Sequence, residues 1–161
     1  MSFTNRDDWE NDFVVGCRPV EALLRLPVRV RGIQLGRPAD VVLDLDRRRA
    51  IGLEVVCGDG SRRYLPLAAA RVREDEIVVG SSLLLLTEND LAFYRRRARM
   101  LRDLRGSVVQ RGGRSLGPLV DVLLAEDGAL AGLVVDAGGR LEAVPFDEAV
   151  SIAVRGKVTA A

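Results

Sequence analysis

Short aliphatic runs separated by turn residues dominate the chain. ADVVLDL (39–45), AIGLEVV (50–56), LVDVLLA (119–125) and LAGLVVD (130–136) are the clearest. Runs of this length, rich in Val and Leu and bounded by turn formers, predict strands. Asp59-Gly60, Asp127-Gly128 and Gly138-Gly139 supply the positive φ that tight hairpins need. Arg47-Arg48-Arg49 stands where Asp127-Gly128 would be, and predicts a longer, more exposed turn. Pro66 and Pro145 predict strand ends or edges, because proline cannot donate to a ladder. One segment changes period. In TENDLAFYRRRARMLRDLRG (87–106), Leu91, Tyr94, Ala98, Leu101 and Leu104 recur at helical spacing as an apolar stripe. Thr87 with Asp90 predicts a capping box and Gly106 a left-handed C-cap, so one amphipathic helix is predicted over 88–105. PVEALLRL (19–26) predicts a short helix before the first strand, and residues 1–12 read as a loose segment.

The pattern occurs twice. With Gly36 set against Gly117, Asp40 meets Asp121 and Val41 meets Val122. IGLEVV (51–56) then meets AGLVVD (131–136), and YLPLAAA (64–70) meets AVPFDEA (143–149). Each copy carries Leu-Gly, Asp-Val, Gly-Leu and an apolar-Pro-apolar element in the same order. Self-similarity of this kind predicts one small β unit used twice. Closely spaced short strands with such turns predict a small barrel or sandwich. Arg71 follows Ala70 where the second copy has Val150, which predicts a departure at the end of the first copy.

These landmarks resemble the PRC-barrel family, from about Leu23 to Leu86 in the first copy and from about Leu104 to Lys157 in the second. The resemblance implies a mainly β chain of two small PRC-type β-barrels related by an internal repeat and joined by one amphipathic helix. The domains it implies are a first barrel over 13–86, a connecting helix over 87–106 and a second barrel over 107–161. Members of the family include the cytoplasmic domain of the H subunit of purple-bacterial reaction centres, the C-terminal domain of a bacterial ribosome-maturation factor, and proteins linked to archaeal cell division. They share docking on other macromolecules. Fold alone does not supply function. The H subunit's transmembrane helix and the maturation factor's N-terminal RNA-associated domain have no counterpart in this sequence.

Composition narrows the chemistry. At 161 residues, 48% hydrophobic and 29% charged, the chain has a globular composition, and its formal net charge of +1 gives no strong global field for nucleic acid or acidic lipid. There is no histidine, so the commonest general base, zinc ligand and pH switch are all missing. Ser81, Ser82 and Ser115 therefore have no histidine to activate them, and Lys157 is the only lysine available for a substitute. Cys17 and Cys57 show no metal spacing and are expected to be buried or free thiols. The polar N-terminus has no signal-peptide pattern and no apolar run approaches the roughly 20 residues of a membrane span, so a cytoplasmic location is expected.

The polar residues weigh mostly toward structure. Asp40 and Asp121 follow their Leu-Gly at equal spacing, which suits carboxylates bonding turn amides better than a catalytic pair. Asp44 and Asp46 alternate as on one strand face, but no calcium-loop spacing surrounds them. GGRSLG (112–117) matches no phosphate loop and reads as a hairpin turn. No catalytic, metal or cofactor residue is assigned and no cofactor is expected. The sharpest polar feature is Arg95, Arg96, Arg97, Arg99 and Arg102, with Arg95, Arg99 and Arg102 on one face of the predicted helix. Such a face can grip phosphate or an acidic partner, or it can be solvated. Arg47-Arg48-Arg49 and Arg62-Arg63 add basic turns. The expected function is a non-enzymatic docking or assembly module that binds another protein, with homodimerisation open. The alternative is an RNA- or ribosome-associated factor that uses the arginine face.

Overall fold

The computed structural model describes residues 16–154. The loose segment predicted over 1–12 lies outside this range, as does Lys157. In chain order the elements are β1 (Arg18–Pro19), α1 (Val20–Leu23), β2 (Val28–Val30), β3 (Ile33–Asp44), β4 (Arg49–Cys57), β5 (Arg62–Pro66), β6 (Ala70–Val72), β7 (Ile77–Val79), α2 (Glu88–Arg97), β8 (Arg99–Met100), α3 (Leu101–Leu104), β9 (Val108–Arg111), β10 (Arg114–Leu124), β11 (Leu130–Asp136), β12 (Leu141–Pro145) and β13 (Val150–Ala153). The protein is mainly β and divides into two compact units, Pro19–Asp103 and Leu104–Ala161 with Met1–Arg18. No helix among the described residues is long and apolar enough to cross a membrane.

In the Pro19–Asp103 unit a seven-stranded sheet runs β5-β4-β3-β2-β7-β6, with β8 added on β3. Antiparallel pairing puts Val41, Leu53 and Leu65 in one row, and all three are buried. Asp40, Glu54 and Tyr64 form the neighbouring row on the opposite face. In the other unit a six-stranded sheet runs β12-β11-β10-β9-β13, with β1 on β10. There Val122, Leu133 and Val144 form the buried row, and Asp121, Val134 and Ala143 the adjacent one.

The ladders of the two units match residue for residue over their central strands. Val42 lies opposite Gly52 and Gly52 opposite Pro66, while Leu123 lies opposite Gly132 and Gly132 opposite Pro145. Both long strands have one irregularity just before the Asp and a second after Val42 or Leu123. Such bulges bend a strand. This is how the single strands β3 and β10 each pair with one neighbour early (β2, β9) and another late (β4, β11). The Leu-Gly landmark has a steric cause. A Cβ on Gly36 would strike the Val56 carbonyl, and one on Gly117 the Asp136 carbonyl, so only glycine lets the backbones approach this closely. Pro66 and Pro145 close the edge strands β5 and β12, as proline's missing donor requires.

The units part at the strand after the proline element. β13 pairs directly and antiparallel with β9. In the Pro19–Asp103 unit β2 instead pairs β7, in parallel, and β7 pairs β6. Ile77-Val78-Val79 thus takes the place beside β2, with Arg71 and Val72 exposed on β6 at the sheet edge.

The predicted helix over 88–105 is shorter. Its capping box forms, with the Thr87 hydroxyl oxygen accepting from the Asp90 amide and Asp90 Oδ2 accepting from the Thr87 amide. However, α2 ends at Arg97, Ala98 is extended (φ −128°, ψ 179°), and Arg99–Met100 pairs with Leu43 and Val42 as β8. The cause is burial and pairing. A continuous helix would leave Met100 off the apolar stripe, whereas a short strand buries Ala98 and Met100 together and adds ladder bonds to β3. Leu91, Leu101 and Leu104 are buried all the same, because helix-strand-helix satisfies their spacing too. α2 lies wholly inside the Pro19–Asp103 unit, where the sequence placed a connecting helix over 87–106.

Candidate functional site

The five arginines do not share a helical face. Arg95, Arg96 and Arg97 are on α2, Arg99 is on β8 and Arg102 is on α3. The side chains of Arg95 and Arg97 lie outside the described residues. Arg96 is exposed, and its Nε donates to the Ala92 carbonyl at 3.4 Å. The helix break at Ala98 turns Arg102 back onto the sheet, where its guanidinium meets carboxylates of the chain's own β3 and β4.

Those carboxylates form the most specific polar cluster among the described residues. Glu54, in mid-β4, is fully buried. Its Oε1 accepts from Arg62 Nη1 at 2.6 Å, and its Oε2 is 3.1 Å from Arg102 Nη2. Asp40 lies directly across on β3, also buried. Its Oδ2 accepts from the Arg102 backbone N–H at 3.1 Å and is 3.7 Å from Arg102 Nε, while its Oδ1 accepts from the Val41 amide at 2.8 Å. The Arg102 and Arg62 side chains stay 45% and 51% exposed, so the cations reach solvent and the anions do not. Burying an anion is costly unless it is paired, and among the described residues Arg62 and Arg102 bring their guanidiniums onto these carboxylates. The cluster ties β3, β4, β5 and the start of α3 together.

Beside Glu54 stands Tyr64. Its ring stacks on Tyr94 of α2 at 4.3 Å between centroids, and its hydroxyl donates to the Ile51 carbonyl at 2.9 Å. Burial, with Tyr94 nearby as the lesser cause, pushes the Tyr64 hydroxyl well above the usual tyrosine range. The ring lies over Gly52, where a Cβ would overlap it. Val42, Tyr64, Leu91, Ala98 and Met100 form the buried cluster between α2 and the sheet. On the matching face of the other unit Asp121 keeps its carboxylate, but Val134 stands where Glu54 does, and Cys17 packs on Leu123, Val134 and Ala143. Neither Glu54 nor Tyr64 stood out as a candidate in the sequence. Glu54 had a signal, a lone glutamate inside the aliphatic run AIGLEVV, at the register position that Val134 holds in the other unit.

The other polar candidates are local. Asp121 Oδ1 accepts from the Val122 amide at 2.8 Å, the same bond that Asp40 makes with Val41, so the repeated Asp satisfies an amide at the bulge. Asp44 ends β3 and its Oδ1 accepts from the Arg47 amide at 3.1 Å. Asp46 lies beyond the strand in the turn, so it does not share a strand face with Asp44. Ser81 Oγ accepts from the Leu83 amide, Ser82 begins a 3-10 turn and Ser115 lies in β10. Gly112-Gly113 makes the β9–β10 hairpin turn at positive φ. Arg62 and Arg63 lie within β5 and not in a turn. Cys17 is buried and Cys57 half-buried, both as thiols. No group of three His, Cys, Asp or Glu among the described residues stands close enough to hold a metal ion.

No protein-family model matches the chain, and no curated protein matches it either.

Proposed function

We propose that the chain is a tandem PRC-barrel-like protein that works without catalysis, as a docking module for another protein in the cytoplasm. The matched registers of β3–β5 and β10–β12, the paired bulges, and the shared roles of Gly36 with Gly117 and Asp40 with Asp121 support two copies of one β unit. The observation that carries the docking reading is the distribution of exposed apolar side chains. Among the described residues the large ones are Leu83 at 86%, Ile33, Phe93, Val72 and Leu84, and all five belong to the Pro19–Asp103 unit. Large apolar groups on a surface lose free energy to water that a partner recovers. The arginine-face alternative loses support because Arg102 engages Asp40 and Glu54 and Arg99 sits on a different element from α2.

A tagged pull-down from the protein's own host, eluted in rising salt, tests this reading. A stoichiometric protein that survives high salt is the expected result. Ribosomal proteins and RNA lost together at moderate salt would overturn it, because phosphate contacts release counterions and weaken steeply with salt.

A further inference from the structure

Glu54 is not required by the sheet it sits in. At the matching register of the other unit stands Val134, and the same face there is covered by Cys17. In the Pro19–Asp103 unit the covering segment is α2 with β8, and it is tied at both ends by the polar groups around Glu54. At its start, Glu88 Oε1 accepts from the Arg62 amide at 3.3 Å, and the Arg62 guanidinium is on Glu54. At its far end, Arg102 gives its backbone N–H to Asp40 and its guanidinium to both Asp40 and Glu54. Between these ties the segment rests on Val42 and Tyr64 through Leu91, Tyr94, Ala98 and Met100.

We infer that α2–β8 is a strap, closed over β3–β5 by a latch of Arg102 on the Asp40–Glu54 pair. The strap opens as one piece when the latch is broken, while the sheet beneath stays folded. The chemistry favours this order of events. Opening returns the half-exposed Arg102 guanidinium to water and lets water reach Asp40 and Glu54 at the same time, while Arg62 stays on Glu54 and the sheet keeps its own buried row of Val41, Leu53 and Leu65 on the other face. The opened strap would uncover Val42, Tyr64 and Met100, an apolar face now shielded from solvent.

Amide hydrogen exchange on the full chain tests the inference, comparing the wild type with Glu54→Val and Arg102→Gln. Glu54→Val installs the residue that the other unit carries at this register, so it removes the Glu54 half of the latch while Asp40 keeps Arg102, and no buried anion is stranded. The expected result is exchange about tenfold faster or more across α2 and β8 in both variants, about 1.4 kcal/mol of local stability, with Leu53 and Val55 of β4 keeping wild-type protection. If Arg102→Gln does not fold, Glu54→Val decides alone. Unchanged exchange in α2 of Glu54→Val would overturn the inference. So would acceleration of α2 and β4 by one common factor, since the strap would then have no opening of its own.

Discussion

Gly52→Ala gives a prediction whose sign depends on one neighbour. A glycine inside a strand is ordinarily about 0.5–1 kcal/mol worse than alanine, so the exchange taken alone should stabilise. Here a Cβ would overlap the Tyr64 ring, which is buried and held between the sheet and Tyr94. The ring must move. Its hydrogen bond to the Ile51 carbonyl is worth about 1 kcal/mol. Its stack on Tyr94 is worth about 1 kcal/mol. Forcing extra volume into a packed site adds about 1 kcal/mol or more. After the strand gain is set against these, Gly52→Ala should cost about 2 kcal/mol. In a Tyr64→Ala background the obstacle is gone, and Gly52→Ala should be neutral or stabilising. Urea unfolding followed by far-ultraviolet circular dichroism on the four proteins of the cycle measures this. The coupling should be about 2 kcal/mol, within the range for residues in contact. Additive effects, with Gly52→Ala equally costly with or without the tyrosine, would refute the steric argument.

Further outcomes follow from the same geometry. Gly117→Ala should destabilise by more than 2 kcal/mol, from its φ of +129° and the Asp136 carbonyl in the path of a Cβ, while Gly58→Ala, with open space around it, should stay within about 0.5 kcal/mol in the same urea assay. Thr87→Ala removes the capping box of α2 and should cost about 1 kcal/mol, read as a lower Tm. Tyr64 should ionise later than a tyrosine of the unfolded chain, followed by tyrosinate absorbance in a Tyr94→Phe variant. Because folding raises the pKa of this group, its contribution to stability is complete below the ordinary value of 10.0 and falls as pH climbs above it, so urea midpoints should drop in that window.

The strands and turns were legible because their signals are local. Aliphatic runs, Asp-Gly and Gly-Gly turns and edge prolines each act over a few residues, and the repeated Leu-Gly and Asp-Val marked the two places where backbones approach and an amide must be satisfied. The helix end was not legible from periodicity, since Leu91, Ala98, Leu101 and Leu104 suit a continuous helix as well as a broken one. Met100, off the stripe yet buried against β3, was the one residue that distinguished them. The parallel pairing of β7 with β2 depends on a contact about fifty residues apart and leaves no short-range trace. Glu54 went unread for a related reason. A glutamate in a strand signals exposure until its cations are known, and Arg62 and Arg102 arrive from other elements.

The proposed docking function has the protein capture another protein through apolar side chains of its Pro19–Asp103 unit. The most direct measurement is quantitative capture of the salt-resistant partner by the wild type, by Leu83→Asp with Phe93→Asp, and by Arg95, Arg96 and Arg97 all changed to Glu, after confirming equal Tm. If the apolar side chains make the contact, the aspartate variant loses the partner and the glutamate variant keeps it. Loss in the glutamate variant alone, with capture intact after Leu83→Asp and Phe93→Asp, would contradict it.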